Sequence, residues 1–299
     1  MSLPRVLLIG HGYLGSNLAQ TLGYKGFALA AVNRAVQEND TYPVLAGDVA
    51  LLESVEALRD QLPFSRPDAI VHCASSGRGG AEAYRAVFVD GVANLQAVFP
   101  DIPVLMTSST SVYGQTDGSV VNERSPTSPE RETSRLLCEA EERVRAGGGI
   151  ALRLAGIYGP GRSVHLERIL DGSATIESGE PSRYLNQIHR DDATGAIVHL
   201  LRQGVAAHSG SIFNVSDDSP LTQRQCYESM ADFFDLPIPP EAPPDKNRKR
   251  AWTNKIVDNS ALHATGWQPA YPSFIDALHK DERLVPSIRR QIAQRQPPE

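Results

Sequence analysis

Short apolar runs alternate with segments of helical period through the first half of this chain. The runs at 6–9, 28–32, 44–46, 69–73, 104–107 and 150–154 have strand length. Each is separated from the next by a connection long enough for a crossover, which predicts successive strand–helix–strand units and a parallel sheet. Between the first two runs Leu14, Leu18 and Leu22 recur at i, i+4 and i+8, an apolar stripe suited to a helix lying on that sheet and closing near Gly23. A later helix is expected to begin at Ser128 and Pro129, with proline in its first position. It turns Leu136, Leu137, Ala140 and Val144 inward and ends at Gly147, Gly148 and Gly149. Another is expected from Asp191 and Asp192 to Gly204, with Ala196, Ile197, Leu200 and Leu201 on one face.

The second half is less regular. Its segment 235–250 holds five prolines ahead of the basic cluster Lys246, Asn247, Arg248, Lys249, Arg250, so an extended or looped path is expected there. These patterns together predict a doubly wound α/β fold with a smaller C-terminal substrate lobe. The expected division is 1–160 for the dinucleotide-binding Rossmann domain and 161–299 for the lobe, with segments at about 187–215 returning to the main sheet.

Composition narrows the function classes. With 299 residues, 41% hydrophobic and 21% charged, the chain is long enough to bury a full core. A net charge of -6 argues against a nucleic-acid-binding surface, which usually carries a basic face. Cys73, Cys138 and Cys226 are odd in number, far apart and without metal-ligand spacing. They suggest free thiols in a reducing compartment, and neither a disulfide framework nor a metal site is expected. The apolar start is too short for a membrane span and runs directly into a glycine turn, so a cytoplasmic protein with no membrane partner is expected.

That turn carries the clearest chemistry. Gly10, Gly12 and Gly15 form a G-x-G-x-x-G sequence after a strand and before the leucine-striped helix. The first glycine allows the tight turn, the second lets the backbone approach a pyrophosphate, and the third lets the helix pack closely, with Tyr13 and Leu14 in its first turn. An acidic residue at the end of the second strand would bind the ribose 2′-hydroxyl of NAD, but the chain has Asn33 and Arg34 there. A guanidinium suits a 2′-phosphate, so NADP is favoured over NAD; an exposed loop arginine is the plainer alternative. By fold position Asp48 and Val49 are candidates to meet the adenine, and Ala74, Ser75 and Ser76 to pass under the ribose and diphosphate.

The glycine turn, Val71–Ala74, Thr107–Gly114, Leu152–Arg162, His189–Asp192 and Phe213–Val215 together resemble the extended and atypical short-chain dehydrogenases/reductases. More narrowly, they resemble the NAD(P)-dependent nucleotide-sugar epimerase/dehydratase group. The resemblance spans nearly the whole chain. It implies that Ser109 hydrogen-bonds the reacting oxygen and that Gly156 and Ile157 lie at the cofactor. It also implies a tyrosine acid or base and a lysine that holds the nicotinamide ribose. Those two positions read Arg131 and Arg135 here, and no tyrosine in the chain is followed four residues later by lysine.

The two changes differ chemically. Arg135 keeps a positive charge and several donors for ribose hydroxyls. Arg131 cannot serve as proton donor, because a guanidinium with a pKa above about 12 keeps its proton. Three explanations stand. Another group supplies the proton, with Tyr113, Tyr158, Glu132 and His189 as candidates. Alternatively the reaction proceeds by oxyanion stabilisation from Ser109 and arginine donors. Third, the chain is a non-catalytic NADP(H)-binding sensor or scaffold. Ser109, Tyr113 and Arg135 are the catalytic expectations, for an oxidoreductase acting on a nucleotide-sugar or small carbonyl or hydroxyl substrate. Arg162 and the 246–250 cluster are candidates for a substrate diphosphate. The apolar faces of the helices at 81–98 and 129–144 suit either a homodimer through a four-helix bundle or burial within one chain.

Overall fold

The computed structural model describes residues 3–35, 41–77, 79–179, 182–244 and 252–295. The first five apolar runs form strands β1 (Arg5–Ile9), β2 (Ala28–Asn33), β3 (Val44–Ala46), β4 (Ala69–His72) and β5 (Val104–Ser109). β1 pairs in parallel with β2 and β4, β2 with β3, and β4 with β5. With the strands Ile150–Leu154 and Ile212–Val215 they make a seven-stranded parallel sheet. Its order is Ile212–Val215, Ile150–Leu154, β5, β4, β1, β2, β3.

The lack of apolar–polar alternation in these strands follows from this arrangement. Val6, Leu7 and Leu8 are completely buried, as expected where helices cover both faces of a parallel sheet. Helix α1 (Tyr13–Tyr24) contributes Leu14, Leu18 and Leu22 to the buried layer. Strand order runs outward from β1 through β2 and β3 on one side and from β4 through β5 on the other. The carboxyl ends of β1 and β4 therefore flank the switch point, where open α/β sheets bind ligands.

Two helices differ from their sequence patterns. The one expected from Ser128 and Pro129 begins at Glu132 and runs to Ala146. Arg131 is extended, and the Glu130 carbonyl accepts from Arg135 Nη2 at 2.9 Å rather than from a helical amide, so Pro129 lies ahead of the helix. The expected 191–204 helix is Arg190–Gln203.

The chain divides into two compact units. The first comprises Met1–Val112, Thr127–Arg153 and Thr194–Phe213, and the second Tyr113–Pro126, Leu154–Ala193 and Asn214–Glu299. The second is built from short parallel pairs: Gly156–Tyr158 with Gln187–His189, Ile176–Glu177 with Glu241–Ala242, and Val120–Val121 with Ile256–Val257. Its core gathers Tyr158, Leu166, Tyr227, Met230 and Phe274. The helix Gln223–Phe234 in this unit starts with a capping box, in which Thr222 and Gln225 satisfy each other's backbone amides. The prolines at 239–244 surround the strand Glu241–Ala242, whereas the 246–250 cluster lies outside the described residues. Among the described residues no helix is long and apolar enough to cross a membrane.

Candidate functional site

In the first unit the three motif glycines fall into two kinds. Gly10 adopts φ 96°, and a Cβ on it would stand 2.5 Å from the Ala74 backbone. A Cβ on Gly15 would stand 1.9 Å from the Gly10 carbonyl oxygen. Both are glycines because the protein leaves no room. Gly12 has φ -89° and would meet no protein atom within 4 Å, so nothing in its own structure demands a glycine. It is the N-cap of α1, no side chain caps that helix, and the first helical bond runs from the Ser16 amide to the Gly12 carbonyl. The open space therefore lies at the positive end of a twelve-residue helix, where backbone amides favour an anion.

The neighbouring loop closes on this turn. The Cys73 amide donates to the Ile9 carbonyl at 2.8 Å and the Gly10 amide to Val32 at 2.9 Å, setting Ala74, Ser75 and Ser76 beside the glycines. Burial pushes the Cys73 thiol up to about 12, which makes it an inert wall. Leu14 packs into the core, so only its backbone remains for a ligand.

At the end of β2, Arg34 is exposed and lines a cavity of about 330 Å³ with Ala46, Gly47, Asp48 and Ser54. Asp48 Oδ1 accepts from the Ala50 amide at 3.0 Å, while the Asp48 amide donates to Ser54 Oγ. A carboxylate thus shares the cavity with Arg34, which sequence order did not reveal. Asn33 turns its amide to the Ala35 carbonyl, and Val49 is buried with its carbonyl held by Asn94.

At the carboxyl end of β5, Ser109 Oγ accepts from the Ser111 amide at 3.1 Å. Ser134 donates to Ser111 Oγ at 3.2 Å, tying the first turn of the helix Glu132–Ala146 to the turn after β5. Arg131 and Arg135 are exposed on either side of Ser134 in that helix start. Beneath them Ser108 donates to Glu141 Oε1 at 2.5 Å, and the Arg153 guanidinium grips both Glu141 oxygens, with Nη2 at 2.7 Å. Arg153 and Glu141 side chains are only 5% and 3% exposed, so this pair is an internal brace for the Ser109 end of β5. The sequence pattern missed Ser111, Ser134 and Glu141. The Ser-x-Ser spacing was visible, but its partner lies 23 residues away.

The alternative proton sources are placed differently. Tyr113, expected among the catalytic groups, is completely buried in the second unit; its hydroxyl faces the Asn122 carbonyl and Asn214 Oδ1 at 2.9 Å each. Tyr158 is also buried, and burial raises its pKa strongly. His189 is buried with Nδ1 accepting from the Asp191 amide, which leaves the proton of the neutral ring on Nε2, 3.2 Å from Asp281. Arg283 spans Asp281 and Asp191, at 2.7 and 2.6 Å, and Arg190 adds a second guanidinium on Asp191 at 3.2 Å, so two cations balance the two carboxylates of this histidine cluster. Glu132 is exposed in the first helical turn. Gly156 and Ile157 pair with Gln187 and Ile188 in the second unit, and the Arg162 backbone bridges Gly159.

A family model described as the NAD dependent epimerase/dehydratase family matches residues 6–216. The chain is 31% identical over 294 residues to Protein YeeZ of Escherichia coli strain K12, covering 90% of this chain and 97% of that one. Among solved structures, a UDP-glucose 4-epimerase of Thermotoga maritima with UDP-glucose superposes with a TM-score of 0.77 at 17% identity, over 96% of this chain and 99% of the other. A UDP-glucose 4-epimerase of Thermus thermophilus in complex with NAD gives 0.76 at 20% identity, over 95% and 99%.

Proposed function

Because the chain belongs to the NAD dependent epimerase/dehydratase family, we propose that it is an NADP(H)-preferring oxidoreductase acting at a carbinol or carbonyl carbon of a sugar-like or small substrate. The observation that carries the cofactor reading is Gly12: a glycine with no internal reason, at an uncapped helix N-terminus, beside a loop pressed against Gly10. In this reading the amides around Gly12, Tyr13, Leu14 and Gly15 hold the diphosphate, with Ala74, Ser75 and Ser76 along the ribose side. Asp48 and the backbone of Val49 face the adenine. Arg34 holds the 2′-phosphate, its guanidinium being the one cation lining that cavity among the described residues. Arg135 takes the nicotinamide ribose hydroxyls, and Gly156 and Ile157 retain the cofactor role implied by the family pattern.

When bound, the nicotinamide group gives or takes the hydride. Ser109 orients the reacting oxygen, and Arg131 and Arg135 stabilise the negative charge that develops on it without surrendering a proton. In the oxidative direction the hydroxyl proton leaves through Ser109 to water. Tyr113 is assigned to hold its own turn, because its hydroxyl is buried between two acceptors.

The test compares NADPH and NADH affinity before and after Arg34→Ala, and then follows NADPH oxidation across carbonyl compounds and nucleotide sugars. NADPH is expected to bind more tightly, with the difference lost in the variant and turnover lost in Ser109→Ala. Equal affinities in the native chain overturn the role of Arg34. Tight binding with no turnover on any substrate replaces the enzyme with a cofactor-binding sensor or scaffold.

A further inference from the structure

The second unit contains a cavity of about 300 Å³ whose described lining includes Asp117, Glu177, Ser182, Arg183, Trp252 and Asn254. The one arginine among its described lining residues is occupied. Arg183 Nε and Nη2 grip the Glu177 carboxylate at 3.1 and 3.0 Å, with both side chains nearly buried. Trp252 Nε1 donates to the same carboxylate at 3.0 Å, which fixes the indole ring in the wall. An arginine closed on a carboxylate in this way has lost the net charge and much of the donor fork that would receive a diphosphate. Asp117 adds a second carboxylate, with Oδ1 accepting from the Ser119 amide.

What remains suits a different ligand. Asn254, a lining residue, is 4% exposed and commits Oδ1 to the Tyr184 amide at 3.0 Å, which leaves its NH2 group as a donor. Ser182, also buried, accepts from the Arg224 amide and keeps its O–H as a donor. Donors and acceptors line the cavity together with a fixed indole, with no uncompensated cation among the described lining residues. Planar amide and carboxylate groups beside an aromatic ring match adjacent hydroxyls and an apolar C–H face.

We propose that this cavity binds a neutral polyhydroxylated ring, a sugar or cyclic polyol without a phosphate, and that the Glu177–Arg183 pair makes it reject nucleotide diphosphates. The proposal rests on the oxidoreductase reading only for the use made of that ring; binding is tested without cofactor, so the two fail separately. Saturation-transfer NMR on the full chain would screen neutral mono- and disaccharides and cyclic polyols beside UDP and UDP-glucose. At least one neutral ring is expected to bind, with affinity falling about tenfold in Asn254→Ala, the loss of roughly one hydrogen bond. UDP is expected to bind Glu177→Gln at least tenfold more tightly than the native chain, because Arg183 is released. If Glu177→Gln does not fold, Glu177→Asp, which draws the carboxylate back from Arg183, makes the same comparison of UDP affinity. Binding of UDP to the native chain as tightly as to the Glu177 variant, or failure of every neutral ring to bind, overturns the proposal.

Discussion

Ser134 donates its hydroxyl to Ser111 at 3.2 Å, and the amide of Ser111 in turn donates to Ser109 Oγ. One buried serine therefore links the helix start that carries Arg131 and Arg135 to the oxygen proposed to hold the substrate. Ser134→Ala removes this link and leaves the ion pair beneath it in place. Loss of one hydrogen bond should cost about 1 kcal/mol of stability. Turnover should fall more than the melting temperature suggests, by tenfold or more in kcat, while NADPH affinity stays near its native value. Stopped-flow turnover and a binding titration on the same preparation separate the two effects.

Gly12 and Gly15 should respond oppositely to alanine. At Gly12 the added methyl has open space and an ordinary φ, so the cofactor-free melting temperature is expected to stay unchanged. NADPH affinity should nonetheless fall by about tenfold or more, since the methyl stands where the diphosphate would approach. Gly15→Ala drives a methyl into the Gly10 carbonyl and should yield little folded protein. Calorimetry and thermal melts measure both outcomes.

The Glu141–Arg153 pair gives a stability prediction independent of function. Glu141→Ala leaves a buried guanidinium uncompensated and strands the Ser108 hydroxyl, so urea unfolding should show a loss of about 3–5 kcal/mol. The double change Glu141→Leu with Arg153→Met removes both charges and should recover much of that loss.

Lys255 supplies a pH dependence. It is 4% exposed, donates to the Tyr113 carbonyl and Thr253 Oγ1, and burial lowers its pKa from 10.5 to about 8. Between those two values the unfolded chain holds a proton that the folded chain has released. Stability should therefore rise with pH from about 8 to 10, by at most about 1.4 kcal/mol per unit for one proton. Lys255→Met should flatten that slope; denaturation curves at pH 8, 9 and 10 for both proteins give the comparison.

The sheet was legible because its strands are buried on both faces and so read as continuous apolar runs, while Leu14, Leu18 and Leu22 carry the helical period. Gly10, Gly12 and Gly15 declared the turn, although only the structure separates the two sterically required glycines from the open one. The start of the helix at Glu132 was not legible, because it depends on Arg135 capturing the Glu130 carbonyl. The pairing of Val120–Val121 with Ile256–Val257 joins two-residue strands far apart in sequence, too short to show a period. Tyr113 looked available because it follows Ser109, but its surroundings come from Asn122 and Asn214, which only folding supplies.

The Gly10–Gly15 contact is internal to the backbone, whereas Arg34 stands exposed at a strand end. On the proposed reading of Arg34, this division makes nucleotide preference a surface trait. Exchanging Arg34 for an acidic residue would then be a route to retuning the protein toward the other dinucleotide for biocatalysis, without redesigning the glycine turn beneath it.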